Sequence, residues 1–142
     1  MRALLDVNVL IALLDSDHTS HAVAFDWFKE HARDGWASCA ITQNGCIRIM
    51  SNPGYPNALP IQSVMKRLAD ACEEDVHEFW ADDVSLLDQS VVDSTRIHGP
   101  RQLTDIYLLA LAVHHEGKFV TFDTGIPVAA VRKAMARNLV VL

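Results

Sequence analysis

Met1-Arg-Ala-Leu-Leu-Asp6-Val-Asn8-Val-Leu10 is the stretch whose reading decides the fold. The run from Arg2 to Leu5 is short and mostly apolar and ends at an acid, and beyond it the apolar residues change period. Leu10, Leu13 and Leu14 fall at i, i+3 and i+4, the spacing of one helix face, so a helix is expected up to about Asp15. A short apolar run handing over to a helix reads as a buried parallel strand feeding its crossover. Ligands of open α/β sheets bind outside the carboxyl ends of the strands, where Asp6 would stand. Asp6 also suits a helix N-cap, because its carboxylate can accept a free backbone N–H. Both readings stay open on this stretch alone.

Working outward, Ser16 to Ser20 is a turn rich in cap formers, and a second helix is expected from about His21 to Ala32, burying Ala24, Phe25 and Phe28. Trp36 to Ala40 is a plausible second strand, after which Thr42 can cap a helix over about Gln43 to Met50. Ser51-Asn-Pro-Gly-Tyr-Pro-Asn57 is turn chemistry. A helix after Pro60 is expected to bury Val64, Leu68, Ala71 and Cys72, and His77 to Trp80 is a third strand. Leu86 to Ser94 reads as a helix, and Ile97 to Gln102 as a loop. Thr104 caps a strongly apolar helix, Ile106 to His114, with Asp105 at its start. Lys118 to Phe122 is a fourth strand ending at Asp123, Pro127 to Met135 a last helix, and Leu139 to Leu142 a last strand. Strands alternating with helices imply a three-layer α/β/α fold around a mainly parallel central sheet. No repeat or linker divides the chain, so residues 1–142 are expected to form one domain.

The chain has 142 residues, half of them hydrophobic, which fits a packed core and not disorder. Its net charge of -6 repels nucleic acid at long range. A polyanion-binding protein of this balance needs a basic strip or metal ions at the contact. The charge therefore argues against a plain DNA-binding module but not against a metal-dependent nuclease. Cys39, Cys46 and Cys72 are odd in number and form no C-x-x-C pair, so reduced thiols and a cytoplasmic location are expected. No signal-peptide pattern and no apolar run near the ~18 residues of a membrane span is apparent.

Asp6 follows the first strand, Asp105 opens a helix, and Asp123 follows the fourth strand. In a parallel sheet Asp6 and Asp123 share one edge. The helix that returns the chain to the start of the fourth strand begins at that same edge, so Asp105 can join them. Three carboxylates in a confined site stay ionised only if positive charge compensates them. Mg²⁺ or Mn²⁺ suits an all-oxygen site of this kind. One or two such ions can orient a water, lower its pKa and stabilise the leaving oxygen of a phosphodiester.

Taken together and in order, Leu5-Asp6-Val-Asn8-Val-Leu10, Ile41-Thr-Gln43-Asn44-Gly45-Cys-Ile-Arg48, Ser51-Asn-Pro-Gly-Tyr-Pro56, Leu103-Thr-Asp105 and Phe119-Val-Thr121-Phe-Asp123 resemble the PIN-domain ribonucleases, specifically the VapC-type toxins of bacterial toxin–antitoxin pairs. The pieces span nearly the whole chain. The resemblance implies an endoribonuclease that is inhibited by a small cognate antitoxin and is usually dimeric, with no membrane association. It carries metal-binding roles to Asp6, Asp105 and Asp123, and supporting roles to Asn8 and Thr121. Many relatives have Glu where this chain has Gln43, an amide that brings no charge. Arg48, about one turn beyond Gln43, is placed to hold an RNA phosphate or to pair with one of the acids.

Other features weigh less. His18 and His21 suit surface or capping roles. His114 and His115 sit at a helix C-terminus and read as structural, and Asp82, Asp83, Asp88 and Asp93 as a solvated face rather than a second metal site. Arg96 and Arg101 flank the loop before Asp105, where ordinary surface charge is the simpler account. Two rivals to a nuclease remain. One is a catalytically weak PIN-like domain that binds RNA or a partner, suggested by Gln43. The other is an aspartyl-phosphate phosphatase, which wants a second acid two residues after the first, where this chain has Asn8.

Overall fold

The computed structural model describes residues 1–142. The first strand, β1 (Ala3–Leu5), is buried throughout and lies at the middle of a five-stranded sheet. Its neighbours are β2 (Trp36–Cys39) and β4 (Lys118–Thr121), with β3 (His77–Trp80) outside β2 and β5 (Leu139–Val141) outside β4. All pairings are parallel, in the order β3-β2-β1-β4-β5. Strands covered on both faces read as continuous apolar runs rather than alternating ones, as β1 does and as Phe119 and Val120 do at the centre of β4.

The two faces carry different cores. Ala3, Leu5, Trp36 and Val120 point toward α1 (Val7–Leu14), α3 (Ala40–Met50) and α4 (Ile61–Cys72). Phe28 of α2 (His21–His31) meets the edge of the Trp36 ring. On the other face Leu4, Ala37, Cys39 and Phe119 pack under α5 (Leu103–His114), joined by Val92, Ile126, Ala130 and Val131 from irregular segments. The chain leaves β1 toward the first face and leaves β4 toward the second. A crevice therefore opens above these adjacent strands, the place where open α/β sheets hold ligands.

Two expected helices are absent. Leu86–Ser94 and Pro127–Met135 instead pair across an isolated antiparallel bridge, Val92 with Val131. Asp93 N donates to Ala130 O at 2.8 Å, and Arg132 N to Val91 O at 2.9 Å, so each segment satisfies the other's backbone. Asp88 Oδ1 accepts from Ser90 N and Asp93 Oδ1 from Thr95 N, local turns that compete with a helix. Only short 3₁₀ turns remain, at Ser94–Arg96 and Val128–Ala130.

Two helix starts also shift. Helix α3 begins at Ala40 with Cys39 as its cap, and Thr42, inside the first turn, accepts the Cys39 N–H through Oγ1 at 3.0 Å. A 3₁₀ turn, Pro100–Gln102, runs straight into α5, so Thr104 is its second residue and not its cap. Phe25 is 44% exposed, where burial was expected. No helix is long and apolar enough to cross a membrane.

Candidate active site

Asp6 stands at the carboxyl end of β1, and its two carboxylate oxygens have separate partners. Its Oδ1 accepts the Val7 N–H at 2.7 Å, capping α1. Its Oδ2 accepts the Thr121 hydroxyl at 2.7 Å, across the β1–β4 seam. Asp6 is only 8% exposed and Thr121 is fully buried. The same Thr121 oxygen accepts the backbone N–H of Asp123 at 3.1 Å, and Asp123 Oδ1 accepts from Gly125 N at 2.6 Å. One hydroxyl thus ties the first acid to the turn that carries the third.

Asp105 arrives from α5, in the first turn, where the helix dipole favours an anion. That bias is overwhelmed. Burial first, then the charges of Asp6 and Asp123 and a carboxyl contact with Asp123, push Asp105 up to about 6. Burial also raises Asp6, with Asp123 adding to it, against the hydrogen bonds from Thr121 and Val7 that favour its charged form. No cationic side chain contributes to either group. Asp6, Asp105, Asp123 and Thr121 therefore converge, and the cluster carries uncompensated negative charge.

Gln43 is turned elsewhere. Its Nε2 donates to Ser38 Oγ at 2.9 Å, and Ser38 Oγ in turn bonds His77 Nε2 at 2.8 Å. Ser38 alternates with Ala37 and Cys39, so this network lies on the α3–α4 face of the sheet, opposite α5. The next residue of α3, Asn44, is exposed. Val7, Ala40, Ile41, Asn44, Arg48 and Thr104 line an open groove of about 440 Å³, Val7 and Thr104 being the sequence neighbours of Asp6 and Asp105. Helical spacing held the signal: Arg48 is i+4 from Asn44 and shares its face, whereas i+5 from Gln43 turns it well away. Asn8 is exposed on the first turn of α1. Arg48 is exposed and makes no ion pair, so it does not neutralise an acid.

Elsewhere the capping roles of His18 and His21 hold, through bonds to Ser20 N and Ala12 O. Arg96 pairs with Asp93 at 3.4 Å. Asp83 is solvated as expected, but it is not apart from the histidines: it lies against both His114 and His115.

A parallel sheet that gathers three aspartates over its central strands defines a class, and the PIN domain family model matches residues 3–132: the chain belongs to the PIN-domain family. Within it the chain is similar to the VapC ribonucleases. It is 52% identical to Ribonuclease VapC44 of Mycobacterium tuberculosis (strain ATCC 25618 / H37Rv) over 142 residues, all of both chains. It is 40% identical to Ribonuclease VapC39 of the same strain over 127 residues, 89% of this chain and 91% of that one. The fold matches the crystal structure of VapBC2 from Rickettsia felis bound to a DNA fragment from their promoter, with a TM-score of 0.61 at 13% identity, covering 100% of this chain and 98% of the other.

Proposed function

We propose that this chain is a divalent-metal-dependent endoribonuclease, the toxin of a toxin–antitoxin pair, which hydrolyses RNA phosphodiester bonds at Asp6, Asp105 and Asp123. The observation that carries the reading is the convergence of three carboxylates, two of them held above their ordinary pKa, with no cationic side chain to offset them. A donor set of carboxylate oxygens fits Mg²⁺ or Mn²⁺. Asp6, Asp105 and Asp123 are the residues that would hold such an ion. When bound, it would supply the positive charge that lowers the pKa of a water and offsets charge on the leaving oxygen.

The chain's own residues do the rest. Thr121 orients Asp6 through the hydroxyl and fixes the Asp123 turn through the same oxygen. The groove between α1 and α3 gives an RNA strand a path to the acids, with Arg48 free to hold a phosphate despite the net charge of -6. The similarity to proteins named ribonucleases over the full length supports RNA as substrate. Gln43, bound to Ser38, gives no reason to read the domain as a binding module instead.

The partner in this reading is a small cognate antitoxin. We assign its docking to the cleft between α1, α2 and α4, lined by Leu10, Leu13, Leu14, Phe25, Phe28 and Leu68, where an apolar segment would cover the exposed Phe25. A homodimer in the cytoplasm completes it, in keeping with three free, largely buried thiols. The test is cleavage of RNA by wild type and Asp6→Asn, with and without a chelator. Loss of cleavage in the variant and with chelator is expected; cleavage that survives both removes the acids from the chemistry.

A further inference from the structure

A second group of metal-ligating side chains lies far along α5 from the acids. His114 is the last residue of that helix, His115 follows it, and Asp83 sits in the irregular segment after β3. Asp83 Oδ1 is 3.6 Å from His114 Nε2 and 3.4 Å from His115 Nε2, and the three ligand atoms lie within 4.8 Å of one another. A hydrogen bond does not account for the arrangement. His115 Nε2 is shielded from solvent and has no hydrogen-bond partner, although a carboxylate oxygen is beside it.

A metal does account for it. Zinc bonds of roughly 2.0–2.1 Å in a tetrahedron place neighbouring ligand atoms about 3.4 Å apart. The His115–Asp83 edge has that length already, and the His114–Asp83 edge, at 3.6 Å, is 0.2 Å longer. The edge between the imidazoles is no longer than 4.8 Å, and the half-exposed His114 side chain is the less confined of the two rings. His115 is held in place, its ring stacked on Trp80 at 4.4 Å and 8°. Trp80 is in turn accommodated by Gly117, where a Cβ would come within 2.6 Å of the indole. A cleft of about 340 Å³ beside His114 leaves an approach.

We propose that Asp83, His114 and His115 form a second metal site, for Zn²⁺ or a similar borderline cation, separate from the three-aspartate centre. Two imidazoles and one carboxylate select such a cation over Mg²⁺, which prefers an all-oxygen site. Three protein ligands leave a fourth position for water. The negative end of the α5 dipole adds to the attraction. Bound there, the ion clips the irregular segment after β3 to the helix whose other end carries Asp105.

The test uses the full chain stripped of metal, titrated with Zn²⁺ against a chromophoric chelator in millimolar Mg²⁺, with Co²⁺ absorption as a second readout. One tight ion per chain and a higher Tm with Zn²⁺ are expected. An Asp105→Asn/Asp123→Asn variant should keep the site, whereas Asp83→Asn, His114→Ala and His115→Phe should each weaken it tenfold or more. His115→Phe retains an aromatic ring against Trp80, and unchanged metal-free Tm values would show that the fold is intact; should that variant misfold, the exposed Asp83 and His114 decide. Zn²⁺ affinity unchanged in Asp83→Asn and His114→Ala, or lost only in the aspartate variant, would overturn the assignment.

Discussion

Thr121 Oγ1 donates a hydrogen bond to Asp6 Oδ2 at 2.7 Å, joining two adjacent strand ends that are 115 residues apart in sequence. The bond is buried and charge-assisted, and the same oxygen accepts the Asp123 N–H. Thr121→Val keeps the shape and removes both contacts, costing about 1–3 kcal/mol for the unsatisfied groups. RNA cleavage should fall about tenfold or more through kcat, while Thr121→Ser restores most of it. Full activity in the valine variant would reduce Thr121 to a packing residue.

The pH behaviour of the metal-free protein follows from Asp105. Its folded value of about 6 stands above its ordinary 3.8, so the folded state holds the proton more tightly than the unfolded chain. The stability this contributes is fully present below the ordinary value and is lost as pH rises through about 6. Asp105→Asn cannot lose it. In chelator, the Tm of the asparagine variant should match wild type near pH 4 and exceed it by a few degrees above pH 6. Mn²⁺ should raise the wild-type Tm and close the gap, and its affinity should weaken as pH drops below 6. A Tm difference independent of pH would mean the carboxylate is not buried among like charges.

Gln43→Glu separates the two helix faces. Because Gln43 Nε2 donates to Ser38 on the α3–α4 side, a carboxylate there should leave Mn²⁺ affinity within about twofold of wild type. Stability should drop by about 1–3 kcal/mol, since the donor is lost and a charge is half-buried in its place. Tighter Mn²⁺ binding by isothermal titration would return this position to the metal centre.

The groove carries the complementary prediction. Arg48→Ala should raise KM for RNA about tenfold and lower the salt slope of RNA binding by about one, leaving Mn²⁺ affinity unchanged. Asn44→Ala should act in the same direction more weakly. An unaltered salt dependence would show that no phosphate is held at Arg48.

What the chain disclosed in advance was governed by period. All five strands and all five helices, with α3 and α5 displaced at their starts, follow from apolar spacing, and the places of the three aspartates follow from where those elements begin and end. Leu86–Ser94 and Pro127–Met135 misled because apolar content without a partner cannot distinguish a helix from two segments that bridge at Val92 and Val131. That Asn44 lines the groove with Arg48 was missed for a different reason. Relatives drew attention to Gln43, whereas the i+4 relation to Arg48 was already present in the sequence. Asp83 meeting His114 and His115 was not legible at all, since it depends on the path of an irregular segment.

Close approach of α3 to α1 sets the last expectation. A Cβ at Gly45 would come within 2.7 Å of a Val7 methyl, nearer than packed carbon atoms tolerate. Val7 follows Asp6 directly and gives its N–H to the Asp6 carboxylate, so pressure there reaches the acid. Gly45→Ala should destabilise the protein by about 1–3 kcal/mol in urea unfolding and lower RNA cleavage more than stability alone explains. Adding Val7→Ala relieves the overlap, so the double variant should recover stability relative to Gly45→Ala, with a coupling of about 0.5–3 kcal/mol. Strict additivity of the two substitutions would show that the helices accommodate the extra methyl by separating elsewhere, leaving Asp6 undisturbed.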